Sequence, residues 1–249
     1  MRLSIILPCL NEMRHGYLER ILLNLVDQQG KIEVIAVVSS SDDGTEEFLE
    51  NFALSYSQMR VWRSQAHNRA QRLNEGIELS QGEIVLLHHP ATLLPEINAL
   101  EMIEECLTKG NDWGAFQHSF DMEHWLLRFT SWYSSHVRVR QKGIVYLDHC
   151  PFVKRQVLEK IGKVPDLDIF EDTVLSDRLC KFSKPDLVNG KVITSARRFR
   201  QRGLYRHAML NQLLKVCYHF NIDPRSLNRL YEQKASINVK YPNTSRPNS

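Results

Sequence analysis

The 249-residue chain has no apolar run approaching the length of a bilayer, which excludes a helical membrane-spanning architecture. Cysteine is scarce and scattered: Cys9, Cys106, Cys150, Cys180 and Cys217 form no Cys-x-x-Cys, and their number is odd. That argues against a disulfide framework or a thiolate zinc site, and for reduced thiols in a cytoplasmic protein. Neither sign of charge dominates. With 32 Lys+Arg against 29 Asp+Glu, the net +3 does not mark a nucleic-acid binder, and no nucleic-acid partner is expected. Internal repeats and low-complexity linkers are missing too, so residues 1–234 are read as one unit. The final "ASINVKYPNTSRPNS" is polar and proline-punctuated, and residues 235–249 are expected to form a disordered tail. The opening "MRLSIILPCLNE" holds too few apolar residues for a signal peptide and reads as a buried first strand.

What is present is a core. At 43% hydrophobic residues, a chain of this length can bury a substantial one. The first third alternates between two periods. "LSIILP", "IEVIAVV", "MRVWR" and "EIVLLH" read as strands, the continuous apolar runs among them as strands covered on both faces. Between them, "YLERILLNLVDQ" puts Leu18, Ile21, Leu22, Leu25 and Val26 on one helical stripe. "SSSDDGTEEFLENFA" starts a second helix with N-cap residues and acids, and "HNRAQRLNEGIELS" makes a third. Three βα units and a further strand predict an α/β fold with a mostly parallel, right-handedly connected sheet. After "LLPEINALEMIEECL", a fourth helix, the pattern is less regular. Residues 120–143 read as an aromatic-rich helix, 144–162 as strand, turn and helix, 170–183 as a helix, "GKVITS" as a strand, and the segment from 204 as a long helix. The Trp125–Trp132–Tyr133 stretch and that last helix are expected to pack against the sheet, with a resting place on a membrane surface as the alternative.

One turn stands out for what it does not contain. In "LLHHPATLLP", residues 86–95, a strand ends at two histidines and a proline, the kind of place where α/β proteins put ligands. Many such turns hold a metal with carboxylates, and this one has none.

Several stretches occur in an order resembling the family 2 glycosyltransferases of GT-A fold, most closely a short bacterial subgroup. They are "LSIILPCLNE", "SSSDDGT", "RAQRLNEGI", "GEIVLLHHPATLLP", "VYLDHCPFVKR", "FEDTVLSDRL" and "TSARRFRQRGLYRHAMLNQLLKV". The resemblance runs from about Leu3 to about Tyr231. It implies a three-layer α/β/α sandwich with a Rossmann-like central sheet, and inverting transfer of a sugar from a nucleotide-diphosphate donor. Two of the family's acids are replaced: Val38 stands where an Asp contacts the base, and Ala91 where an Asp holds the metal. The resemblance therefore implies a site with Mn2+ or Mg2+ bound weakly or not at all, and no metal ligand is assigned.

The remaining assignments follow from matching motifs. Asp172 is the expected general base, with Glu171 as its neighbour or an acceptor contact. Pro8, Asn11, Glu12, Asp43, Arg69, Asn74, His89, Arg197, Arg198 and Arg200 are expected on the donor, Asp43 also as a helix cap, and Asp148 on the acceptor side. The run Arg197, Arg198, Arg200, Arg202 and Arg206 can neutralise a diphosphate, since guanidinium binds phosphate oxygens bidentately and stays charged. The acceptor class stays open among glycans, lipids and small molecules, with peripheral contact to the inner face of the membrane allowed. Two other readings compete: a catalytically degenerate member that binds a nucleotide or partner, and a polyanion binder using the arginines. Histidine metal sites are lesser candidates: His88 and His89 are strand neighbours that face opposite ways, and His118, Asp121 and His124, spaced for one helical face, make the kind of lone polar face that is common.

Overall fold

A computed structural model describes residues 1–96, 98–233 and 236–241 of the chain. The expected βα units are in place. Strand β1 (Leu3–Cys9) leads to α1 (Leu18–Val26), β2 (Ile32–Ser39) to α2 (Thr45–Ala53), and β3 (Met59–Ser64) to α3 (Arg69–Leu79). After β4 (Ile84–Leu87) come β5 (Thr92–Leu93), α4 (Ala99–Thr108) and β6 (Trp113–Phe120). Helix α5 (Trp125–Tyr133) runs on into a π-helical turn, Ser134–Val139, and a 3-10 turn spans Leu147–His149. Then follow β7 (Phe152–Lys154), α6 (Arg155–Lys160), α7 (Glu171–Leu179), β8 (Asp186–Thr194), α8 (Arg197–Arg202), α9 (Leu204–His219) and α10 (Pro224–Glu232).

The strands form one sheet in the order β3-β2-β1-β4-β7-β6-β8-β5. The pairs β2–β3, β1–β2, β1–β4 and β6–β8 are parallel, and β4–β7, β6–β7 and β5–β8 antiparallel. The leading half is thus the expected parallel unit, and short β7 is the reversal that joins it to a second half. Pro8, which has no N–H to give, lies beyond the Ile6↔Leu87 pair where β4 stops flanking β1. Helices cover both faces. One core cluster collects Leu3, Ile5, Leu7, Leu22 and Ile103, and the other Ile6, Val37, Leu73, Ile77 and Trp113.

Several expectations are corrected here. Residues 113–120, passed over as irregular, are a central strand, and the helix expected from 120 starts at Trp125. "IVYLDHC" is coil and a 3-10 turn, leaving only Phe152–Lys154 as strand, and the strand expected over 190–195 begins at Asp186. The tail divides. Ser236–Tyr241 pack onto the domain with Asn238 and Val239 buried, whereas 235 and 242–249 lie outside the described residues. Arg72, itself buried, donates from Nη2 to the Asn238 carbonyl at 2.7 Å and from Nη1 to Ser39 Oγ at 3.0 Å.

Candidate active site

The carboxyl ends of β4, β6 and β8 meet the start of α7 around a cavity of about 220 Å³, walled by α5, α8, α9 and α10. Six of the expected site residues line it: Asp172, Asp148, Arg69, His89, Arg197 and Arg198. Ala91 contributes its methyl group to the same wall.

Asp172 owes its place to a backbone feature. Phe170, just before α7, adopts a left-handed conformation at φ +65°, rare for an aromatic residue. The turn directs Glu171 inward and Asp172 to the cavity. Glu171 is buried and bonded to Arg69 Nε at 2.5 Å, so it holds Arg69 rather than facing the cavity. Asp172 Oδ2 accepts from the Leu147 N–H at 3.1 Å. Burial, reinforced by the Glu171 charge and against the pull of Arg69, pushes the Asp172 carboxyl up to about 7. A carboxylate titrating there is suited to taking a proton near neutral pH.

The opposite wall is cationic. Arg197 is buried, pairs through Nη2 with Glu12 Oε2 at 3.2 Å, and keeps Nη1 without a partner among the described residues. Burial raises the Glu12 carboxyl above its usual range, against Arg197. Arg198 donates to the Tyr231 hydroxyl with its guanidinium 5.1 Å from that ring's centre. Arg69 also reaches Asn238 Oδ1 at 3.2 Å. Asp148 and Arg138 line the far side of the same cavity, and Asp172 shares it with the guanidinium groups of Arg69, Arg197 and Arg198. His89 lies among them. Its Nδ1 accepts from the Ala91 N–H at 3.3 Å, and burial together with Arg69, Arg198 and Arg197 holds its pKa well below the usual histidine range.

On the far side, Asp148 follows from the 3-10 turn and the left-handed Cys150, φ +48°. His118 Nε2 stands 3.5 Å from Asp148 Oδ2. Burial raises the Asp148 carboxyl, but His118, His149, Lys215 and Arg138 together bring it below the usual range. His149 is locked between the Phe116 carbonyl and Ser134 Oγ, each at 2.8 Å. Arg138 and Lys215 flank the Tyr146 ring at 5.3 and 5.2 Å, and burial draws the Lys215 ammonium down to about 8. The motifs assigned no role to Arg138, Tyr146, Lys215 or Tyr231, although Tyr146 and Lys215 lie within stretches quoted for the resemblance. Aromatic and basic richness over 120–143 was the signal for Arg138, and nothing singled out Tyr231.

Other expected donor residues stand outside the cavity lining. Pro8 is buried within β1. Asn11 accepts from the Asp42 N–H at 3.0 Å, and Asp43 accepts from Thr45 N at 3.1 Å and from Arg14 N at 2.9 Å, so Asp43 holds the turn into α2, whose N-cap position is Gly44 rather than the expected Asp43. Asn74 is spent on both backbone groups of Val164, at 2.8 and 2.9 Å. Arg200 turns away to Asp121 at 3.0 Å. Val38 is buried in the core. His118, Asp121 and His124 do not converge: Asp121 serves Arg200 and Tyr17, and His124 caps α5.

The Mn2+ or Mg2+ implied by the resemblance finds a poor donor set. The β4–β5 turn offers one imidazole, surrounded by three guanidinium groups that repel a dication, and a methyl where a carboxylate is needed. Among the described residues no three His, Cys, Asp or Glu side chains group as metal ligands.

Comparison with solved structures places this sheet in known company. A mannosyltransferase from Pyrobaculum calidifontis, solved with GDP-Man and Mn2+, superposes with a TM-score of 0.65 at 19% identity, covering 94% of this chain and 69% of that one. S. aureus TarS (residues 1–349) with UDP-GlcNAc gives 0.59 at 16% identity, covering 79% and 56%. A longer TarS structure gives 0.60, with 35% of its chain covered, so this chain spans a third to three-fifths of the TarS chains it matches. At these identities the likeness is one of GT-A fold. No curated protein matches the chain in sequence. The Glycosyl transferase family 2 description, however, matches residues 4–162, from the first strand to the end of α6. Since that stretch is more than half of the molecule and holds the parallel half of the sheet, the chain belongs to glycosyl transferase family 2.

Proposed function

We propose that the protein is an inverting glycosyltransferase that moves a sugar from a nucleoside-diphosphate donor to an acceptor hydroxyl. The observation that carries this reading is one cavity shared by Asp172 and the guanidinium groups of Arg69, Arg197 and Arg198. Asp172 takes the acceptor's proton as its oxygen attacks the anomeric carbon. The bond from that carbon to the diphosphate breaks on the opposite side, and the diphosphate leaves with the electron pair. The arginines bind the charge that develops there. Opposite charges about 4 Å apart interact by roughly 4 kcal/mol at an effective dielectric of 20, so two such contacts rival what one cation supplies. Nη1 of Arg197, which has no partner among the described residues, is open to a phosphate oxygen. The family and its neighbours' ligands support a nucleotide-sugar donor; the neighbours named above were solved with UDP-GlcNAc and GDP-Man.

Asp172→Asn is expected to abolish transfer while leaving diphosphate binding within about twofold. Unchanged turnover would reject Asp172 as the base. A second reading, a degenerate member that binds without turnover, is favoured by the buried Val38 and by Ala91 at the metal position. It requires that no donor sugar be released by the wild-type chain under any acceptor or metal condition, hydrolysis included.

A further inference from the structure

Two helices expected to pack inward instead show apolar side chains to solvent. On α9 and its C-cap residue Phe220, Tyr205, Met209, Leu213, Val216 and Phe220 fall within an arc of about 80° at ~100° per residue. On α5, Trp125, Phe129 and Trp132 form a second stripe. All eight are between 51% and 75% exposed. The stripes meet at His124, whose ring lies 5.8 Å from Trp125 and 6.1 Å from Tyr205. Beneath them, Leu127 packs with Leu204 and Ala208, so the outward faces are left over after the core is built. Exposed apolar residues elsewhere, such as Leu54 and Trp62, are isolated along the chain and need no such account.

Charge identifies the occupant. From Trp125 to Lys142 there is no Asp or Glu, but Arg128, Arg138, Arg140 and Lys142. From Ala196 to Ile222 there is again no acid, while Arg197, Arg198, Arg200, Arg202, Arg206 and Lys215 occur. Arg197 and Arg200 are spent on Glu12 and Asp121, Arg198 and Arg202 turn to Tyr231, and Arg138 and Lys215 line the cavity, which leaves Arg128, Arg140, Lys142 and Arg206 exposed. A second copy docked about a two-fold axis would set this acid-free face against itself, like charge on like. An anionic bilayer complements it, with Trp and Tyr rings at headgroup level and Lys and Arg among the phosphates. No described helix is long and apolar enough to cross, so the contact is interfacial.

We propose that the joined outer face of α5 and α9 docks on an anionic lipid bilayer. The cavity wall is continuous with this face: Thr130, Ser134 and Arg138 line it from one side, and Asn211, Leu214 and Lys215 from the other. Docking therefore sets the acceptor side of the cavity at the lipid surface.

The test is co-sedimentation of the full chain, without donor, with vesicles of phosphatidylglycerol and phosphatidylcholine or of phosphatidylcholine alone. Anionic vesicles are expected to carry the protein down, and salt to release it. Trp132→Ser/Met209→Ser/Phe220→Ser should weaken partitioning at least about tenfold. Arg206→Glu/Lys142→Glu should weaken it on anionic vesicles only. Melting temperatures should stay near wild type, since all these side chains are exposed. Protein left in the supernatant with anionic vesicles overturns the proposal, as does equal partitioning of the triple variant. Light-scattering evidence of a dimer dissolved by the triple variant, without vesicle binding, assigns the face to a second copy instead. No reading involves sugar transfer, so failure here and failure of the transferase reading are separate results.

Discussion

Asp172 and Glu171 are neighbours in sequence with different tasks, and the difference follows from helix geometry. Adjacent helical residues point about 100° apart, so only one can face the cavity. The sequence "FED" marked the pair but not the left-handed Phe170 that turns Glu171 onto Arg69. The arginine run was likewise legible as chemistry but not as geometry: Arg197 and Arg198 reach the cavity, while Arg200 answers Asp121. A pH dependence belongs at this scale. Because burial lifts Asp172 from 3.8 to about 7, the folded chain holds a proton that the unfolded chain has released. The stability this contributes is full below the unfolded pKa and is lost as pH rises through about 7. Asp172→Asn should therefore raise the melting temperature relative to wild type more at pH 8 than at pH 5. Transfer by the wild type should rise with pH through the same range. A melting difference that stays the same from pH 5 to pH 8 would mean that Asp172 is ionised throughout.

Among elements, the leading βα units were legible because their strands are unbroken apolar runs and their helices carry single stripes. Strand β6 was not. Both of its faces are covered, so no alternation shows, and Gly114 interrupts the apolar run where a Cβ would meet the Asp186 carbonyl at 2.6 Å. Helix α9 hid its outward face for a related reason. With Leu210 and Leu214 turned inward and Tyr205, Met209 and Phe220 outward, it is apolar on two sides and presents no single stripe. Close approach elsewhere gives a test of packing. A Cβ at Gly76 on α3 would meet Ile6 Cγ2 at 2.4 Å and Val37 Cγ2 at 3.0 Å. Gly76→Ala should cost about 1–3 kcal/mol in denaturant unfolding, despite alanine's better helix propensity. A gain in stability would show that α3 can lift from the sheet at no cost.

At the scale of the whole molecule, residues 236–241 pack back against α3 near the first half of the sheet. Asn238 meets Arg72 and Arg69 of α3, and Glu232 Oε1 accepts from the Val239 N–H at 3.2 Å. Polarity and proline content had marked this stretch as tail, because a backbone carbonyl that satisfies a buried arginine leaves no trace in composition. Ending the chain at residue 233 removes these partners. It should cost roughly 3 kcal/mol, or about 6–12 °C in melting temperature for a domain of this size. A melting point unchanged to within a degree or so would place the segment elsewhere. Arg69, Arg197 and Arg198 come from distant parts of the chain to line one cavity, and under the proposed function they meet the donor's charge in place of a bound cation. The most direct test is calorimetric titration of uridine and guanosine diphosphates in the presence of a chelator. It would compare the wild type, Arg198→Met, and Glu12→Gln/Arg197→Met, which removes a buried pair together. The account predicts diphosphate binding that survives chelation and weakens about tenfold or more in each variant. Binding that disappears with the chelator and ignores both substitutions would contradict it.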